Sequence, residues 1–377
     1  MAIMLLLLAM ASMALFLHPY LFYPLSLRWF REVPVRWDDS VPLPSATLMF
    51  SAYNEERALP AKIANLREIK NRYPWIEILA YSDCSSDRTL EILSAEPDLL
   101  RVVPSRERTG KATGMRRMAA EAKGEILIFT DANVLLDPAA IEPLLRYFSD
   151  PAIGGVAGAL HYVNEDASAT ARVGGLYWRL EEALKQRESR VGSIMGADGS
   201  IFAARKAHYP EVPPHLLDDM TVSMSVTFAG LRLIHATDVP AYEKNATSSA
   251  DEFRRKRRIA CRSFNTHRYL WPRIRRHYGA GDIYKYVSHK LLRWFGLASL
   301  AAALVLGAAG LIAAGWPGLA LAGAGLALVA LLLGMAGMPL FRGVYQILLS
   351  IVATFLGVLD SFAGRTYQTW NPAVSRN

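Results

Sequence analysis

A chain of 377 residues can hold one large domain or two smaller ones, and 52% of it is hydrophobic, distributed so unevenly that a purely soluble globular protein is excluded. The formal charge of +8 is local in origin: residues 253–277 hold ten Lys or Arg and no Asp or Glu, which leaves the rest of the chain slightly acidic. Only two cysteines, Cys84 and Cys261, exclude a disulfide framework and agree with a reducing compartment.

Residues 1–27 carry no Lys, Arg, Asp or Glu. A cleaved signal peptide would begin with a basic region, which is missing here, and the run continues into His18-Pro19-Tyr20 and Tyr23-Pro24, so a retained membrane anchor is expected. Arg28, Arg31 and Arg36 follow closely and place the next domain in the cytoplasm, on the inner (plasma) membrane of a multi-pass protein.

Residues 44–250 read as a cytoplasmic α/β domain. Thr47-Leu48-Met49-Phe50 predicts a first strand, and Leu59, Ile63 and Leu66 put apolar side chains on one face of the helix after it. Ile76 to Tyr81 and Ile126 to Phe129 predict further strands. Strands alternating with helices imply a mostly parallel sheet, whose carboxyl edge is where ligands bind.

Three polar stretches follow those strands, and a fourth comes later. Asn54-Glu55-Glu56 either starts a helix or meets a ligand, because acidic residues complement a helix N-terminus. Asp83 closes the second strand, where a carboxylate can accept hydrogen bonds from a nucleobase or ribose, while Ser85, Ser86 and Asp87 supply helix caps. Lys111, beside Gly110, is either a surface lysine or a cation for a diphosphate. Asp131 and Asn133 are spaced i and i+2 at a strand end: an Asx turn, or two oxygen ligands for a divalent ion, Mg²⁺ or Mn²⁺. Asp218-Asp219 opens a helical stretch, as a cap or as a general base for an acceptor hydroxyl. This ordered series suggests a sugar-nucleotide site.

The basic segment, residues 251–290, is expected to lie at the membrane surface with Tyr269 and Trp271 as interfacial anchors. Nucleic-acid binding is the competing reading of such a run, and adjacent membrane spans argue against it. Residues 294–341 are uncharged and fit a helical hairpin turning at Gly315-Trp316-Pro317-Gly318. Gly343 to Leu359 is shorter and closes with Asp360: it either spans, putting Trp370 outside, or lies in the interface and returns the tail to the cytoplasm. Residues 291–365 thus hold two or three membrane helices.

Together with Tyr177-Trp178-Arg179, Glu188 to Ser193, Gly196-Ala197-Asp198-Gly199 and the basic segment around Arg258, this series resembles the family 2 glycosyltransferases. These are inverting GT-A enzymes that include cellulose, chitin and hyaluronan synthases, and the pattern is most similar to bacterial membrane-bound members of the cell-wall and exopolysaccharide type. The resemblance implies that Asn54, Glu55, Glu56 and Asp83 hold the uridine and ribose of a UDP-sugar, with Lys111 and Asp131 nearby. It implies that Asp131 and Asn133 stand at the metal motif, with Asn133 a departure from its second Asp. Asp219 falls on the last residue of a Thr-Glu-Asp motif, as the base, beside Asp218, while Asp198 and Gly199 fall in the acceptor region. Aligning the arginine of the processive Gln-x-x-Arg-Trp motif with Arg258 puts Arg255 at the glutamine and Ile259 at the tryptophan. The flanks differ, which argues against inferring a long-chain polymerase. Arg255, Arg258 and Arg262 then contact either the diphosphate or lipid headgroups. The implied activity is hexosyl transfer from a UDP-sugar to a saccharide in cell-surface or extracellular polysaccharide synthesis. A lipid acceptor, ceramide-like or polyprenyl-linked, is the alternative, and a non-catalytic scaffold subunit is disfavoured by the intact carboxylates Asp83, Asp131 and Asp219.

Overall fold

The structure, a computed structural model, describes residues 1–369; Trp370 lies outside the described residues. Its centre is an eight-stranded sheet in the order β3-β2-β1-β4-β7-β6-β8-β5. The strands are β1 (Ala46–Ala52), β2 (Glu77–Asp83), β3 (Arg101–Ser105), β4 (Ile126–Asp131), β5 (Leu135–Leu136), β6 (Ile153–Tyr162), β7 (Ile201–Arg205) and β8 (Arg232–Glu243). β1 to β4 are mutually parallel, and β7 enters antiparallel to β4. Side chains alternate across the sheet. Leu48 and Phe50 face a layer with Ile63 and Leu66 from the helix Leu59–Arg72, whereas Met49 faces Tyr81, Met115 and Phe129 on the other side. Burial on both faces is why these strands read as continuous apolar runs.

The parallel strands all end at one edge. Ser51 of β1 sits in register with Asp131 of β4, and Asp83 ends β2 two strands away. The order in which strands are added reverses between β1 and β4, which opens a crevice there.

Among the described residues, three helices are long and apolar enough to cross a membrane: Gly296–Ala313, Pro317–Met335 and Pro339–Phe362. The expected hairpin is present, with a tighter turn, because Pro317 and Gly318 already belong to its second helix. The N-terminal run forms a helix Ala2–Leu17, then bends by 69° into Phe22–Trp29. Leu6 and Ala9 pack on Gly310 and Gly307, so Ala2–Leu17 runs antiparallel to the first hairpin helix.

The third C-terminal helix exceeds its uncharged stretch because it starts at Pro339 and takes in Arg342 and Asp360. It lies in parallel along the basic helix Ser249–His277, which carries ten of the chain's 42 Lys and Arg. Gln346 donates to Ser249 at 2.8 Å, Lys256 to Ser350 at 2.8 Å, Arg257 to Asp360 at 2.6 Å and Ser361 to Asn265 at 2.6 Å. That pairing covers some four turns, about 24 Å at the rise of an α-helix.

Candidate active site

Two cavities meet at the sheet edge. The first, about 900 Å³, is lined by Tyr53, Glu55, Asp83, Lys111, Asp131 and Asn133 among others. The second, about 550 Å³, runs from that edge toward the apolar helices. Asp198, Asp219, Arg255 and Ile259 line both.

At the end of β2, the buried Asp83 carboxylate accepts from the backbone N–H groups of Thr109 (2.8 Å) and Gly110 (3.0 Å) and meets Arg108 Nε at 3.3 Å. Gly110 can make that turn because its φ is +86°, which a side chain would strain. Arg108 stacks on Tyr53, 3.2 Å from the ring centroid, and both line the first cavity.

Asn54 and Glu56 are placed differently from Glu55. Neither lines the cavity. Asn54 Oδ1 accepts from Ser86 N at 2.9 Å and Glu56 carboxylate accepts from Arg88 N at 3.2 Å, so both tie the turn after β1 to the turn after β2. Glu55, between them, does line the cavity.

Lys111 opens the helix Lys111–Glu121, and its Nζ lies 2.5 Å from Asp131 Oδ1 and 3.9 Å from Asp218 Oδ2. Burial would lower the ammonium's pKa, but Asp131, Asp218 and Asp219 overcome it and hold Lys111 above its ordinary range. Gly199 passes over this cluster; a Cβ there would stand 2.9 Å from Lys111 Nζ and 3.4 Å from Asp219 Oδ2. A side chain there would have to displace the Lys111 ammonium from the carboxylates it pairs.

Asp218 and Asp219 begin the helix Asp218–Phe228 without serving as its cap, which falls on Leu217. Asp218 is buried, with Oδ2 lacking a hydrogen-bond partner among the described residues. Burial, and then the charge of Asp218, push the Asp219 carboxyl up to about 7, against the pull of Lys111. A carboxylate tuned to neutrality beside two cavities is suited to general-base work. Asp198 is different: it lies 2.7 Å from Lys185 Nζ and accepts from Ser200 N at 3.1 Å. Burial would raise its pKa, but Lys185 and Ser200 hold it below the usual carboxylate range.

Asn133 lines the first cavity and donates to Glu243 Oε1 at 3.0 Å. Among the described residues no group of three or more His, Cys, Asp or Glu is placed to hold a metal by itself. Asp131 with its half-exposed oxygens suits an ion that takes one carboxylate and completes its shell with substrate phosphates and water, as Mg²⁺ and Mn²⁺ do.

The basic helix delivers Arg255, Arg258 and Arg262 to the first cavity. Arg255 pairs with Glu252 at 3.2 Å. Arg262 is 1% exposed and donates to Leu216 O, so the lipid-headgroup reading is overturned for it: it is sealed beside the start of the helix Asp218–Phe228. Ile259 lines both cavities, on the same wall as these arginines.

Sequence reasoning missed Lys62. It is fully buried, with Nζ 2.6 Å from Val134 O and 3.5 Å from Thr130 Oγ1, and burial pushes its pKa down to about 7. Its spacing from Leu59 and Leu66 puts it on the apolar face of its helix, a signal that was present. Tyr367 and Thr369, which line the first cavity from the far C-terminal end, carried no such signal.

Residues 47–211 match the family profile described as Glycosyl transferase family 2. A probable glycosyltransferase, YdaM of Bacillus subtilis (strain 168), is 28% identical over 144 residues, 36% of this chain and 34% of the relative. The beta-monoglucosyldiacylglycerol synthase of Synechocystis sp. is 26% identical over 174 residues, 45% of this chain and 36% of the relative. The match thus spans about a third of the length of both curated relatives. Among solved structures, the mannosyltransferase PcManGT from Pyrobaculum calidifontis, in complex with GDP-Man and Mn²⁺, superposes with a TM-score of 0.70 at 21% identity. The superposition covers 96% of this chain and 99% of that one, so the two share a fold.

Proposed function

With residues 47–211 placing the chain in the family 2 glycosyltransferases, we propose that it is a membrane-bound, inverting enzyme that moves a hexose from a UDP-sugar to an acceptor hydroxyl in cell-surface or extracellular polysaccharide synthesis. The single observation that carries this reading is Asp219, placed where the two cavities meet and tuned to about 7.

The nucleotide takes the first cavity, its base and ribose between Tyr53, Arg108, Glu55 and Asp83 and its diphosphate toward Lys111 and Arg258. A divalent ion, held by Asp131 with Asn133 beside it, would supply positive charge to the leaving diphosphate. Asp219 accepts the proton of an acceptor hydroxyl that arrives through the second cavity. The freed oxygen attacks the anomeric carbon from the face opposite the diphosphate, whose bond to that carbon breaks, and UDP departs. Lys111, Arg255 and Arg258 are fixed cations around the departing charge, and such preorganised electrostatics is usually the largest catalytic term.

The test is UDP or GDP release by the membrane-embedded protein across a panel of nucleotide sugars, with and without Mn²⁺, for wild type and Asp219→Asn. Metal-dependent turnover of one UDP-sugar, lost in the variant, is expected. Turnover that survives Asp219→Asn removes the base assignment.

A further inference from the structure

Asn133 stands where the resembling family has a second Asp, and the two side chains differ in a way that matters to a cation. Either oxygen of a carboxylate can ligate an ion, so an Asp serves whichever way its group is turned. An amide has one oxygen, and its NH₂ group would present two hydrogens to a cation. An Asn therefore ligates only when something fixes the direction of its amide.

Glu243 is placed to do so. β5 pairs antiparallel with β8, Leu135 against Tyr242, which brings the end of β8 beside the turn that follows Asp131. Toward β6, Glu243 is in register with Tyr162, and its carbonyl accepts from Val163 N at 3.0 Å, so its backbone is tied into the sheet. Glu243 is 5% exposed and lines the first cavity together with Asp131 and Asn133. Asn133 Nδ2 donates to Glu243 Oε1 at 3.0 Å. An ionised carboxylate only accepts hydrogen bonds, so the nitrogen is the amide atom that must face it. Oδ1, on the same carbon, is thereby turned away from Glu243 and accepts no hydrogen bond among the described residues.

We infer that Glu243 is a positioning residue for the donor's divalent ion: by accepting from Asn133 Nδ2 it directs Oδ1 to the side where Asp131 lines the first cavity, so that an amide oxygen stands in for the missing carboxylate. This deepens the glycosyl-transfer reading above and rests on it. Glu243 acts through Asn133 and not on the ion, as the carboxylates behind metal-bound histidines act through the ring they orient. Asp131 with Asn133 brings one negative charge to the ion where two Asp would bring two, which leaves more of the ion's charge for the diphosphate.

The experiment is Mn²⁺ binding by the detergent-purified full chain, read from the electron paramagnetic resonance of free Mn²⁺, with UDP or GDP present and no acceptor. Wild type, Glu243→Leu, Asn133→Asp and the double variant form a cycle. With Asn133 in place, loss of Glu243 frees the amide to turn and should weaken Mn²⁺ binding about tenfold. In the Asn133→Asp background the ligand has no wrong way round, and Glu243→Leu also removes a like charge facing it, so binding should be unchanged or tighter. Glu243 also interacts by charge with Arg255, and that loss is common to both backgrounds and cancels in the cycle. Glu243→Gln serves if the Leu variant does not fold: its amide can meet Asn133 in either orientation, so it should give a smaller loss with the same dependence on background. Equal losses in both backgrounds, as when Glu243 ligates the ion itself or only supports the fold, overturn the inference, and so does undiminished binding in Glu243→Leu and Glu243→Gln. Wild type that takes up no Mn²⁺ with either nucleotide overturns the donor-site reading as well, an outcome distinct from uptake that is indifferent to Glu243.

Discussion

Lys111 Nζ sits 2.5 Å from Asp131 Oδ1, so the carboxylate expected to face a metal–diphosphate is neutralised by a lysine when no donor is bound. The same ammonium lies 3.9 Å from Asp218 and lowers the pKa of Asp219. It therefore couples the donor side of the site to the base.

Replacing Lys111 by Met should act on both sides. Loss of a fixed cation from the diphosphate should cost kcat/KM on the order of 10²–10³, as for the removal of one preorganised donor. Three carboxylates would then share the site without compensation, and the Asp219 carboxyl should move further up from about 7. The pH profile of nucleotide release should shift to the alkaline side, and an unshifted profile would show that Lys111 does not tune the base.

Asp219 itself predicts a pH dependence. A base must be ionised to accept a proton, so kcat/KM should fall as pH drops through about 7. Stability should run the other way. The folded pKa is raised above the ordinary value of 3.8, so the native state binds the extra proton between the two values, and stability is lost as pH rises through about 7. Asp219→Asn removes the charge, so its melting temperature should exceed that of wild type at pH 8 and the gain should shrink toward pH 4. A variant that melts alike at both pH values would count against the buried-charge account.

The parallel half of the fold was legible because β1, β2 and β4 are apolar runs that lead into polar residues at one edge. Asp83 and Asp131 follow from that pattern, whereas Asp219 opens a helix and was singled out by the family resemblance. β6, β7 and β8 were not read, since Gly154, Gly155 and Gly158 break the apolar pattern of β6 and β8 pairs across a bulge. Which of Asn54, Glu55 and Glu56 lines the first cavity was hidden for a local reason: a sequence shows that a polar turn follows a strand, but not which of its side chains turn inward. The second cavity was invisible because its walls come from helices at opposite ends of the chain, with Phe16 facing residues as distant as Thr354.

Lys62 should act as a positioning residue for the Asp131–Asn133 turn. Its Nζ holds Val134 O at 2.6 Å from beneath, in a site with no water-exposed surface. Lys62→Met keeps the volume and leaves that carbonyl unpaired, at a cost of about 1–3 kcal/mol. If Lys62 only supports the fold, melting temperature alone should fall. If it positions the turn, the Mn²⁺ concentration needed for half-maximal activity should rise as well, and chemical denaturation run beside metal titration separates the two.

The tail after the last helix returns to the donor cavity. Arg365 O accepts from Asn265 Nδ2 at 2.9 Å, Tyr367 OH donates to Asp360 at 2.8 Å, and Gln368 Nε2 donates to Thr109 O at 3.0 Å. Thr109 is the residue whose N–H holds Asp83, so the tail grips the loop that shapes the nucleotide side. That course, with the pairing of Pro339–Phe362 along the basic helix, predicts that this helix lies in the plane of the membrane surface rather than across it. Two outcomes are expected. A thiol introduced as Arg365→Cys should react from the same side of sealed vesicles as the exposed Cys84. A chain ending at Gly364 should show a donor KM raised several-fold with a smaller change in kcat, because it loses the contacts of Tyr367 and Gln368 beside the first cavity. Labelling from the opposite side would mean that the last helix crosses the bilayer, and the tail contacts with Asn265 and Thr109 would then not form in the membrane.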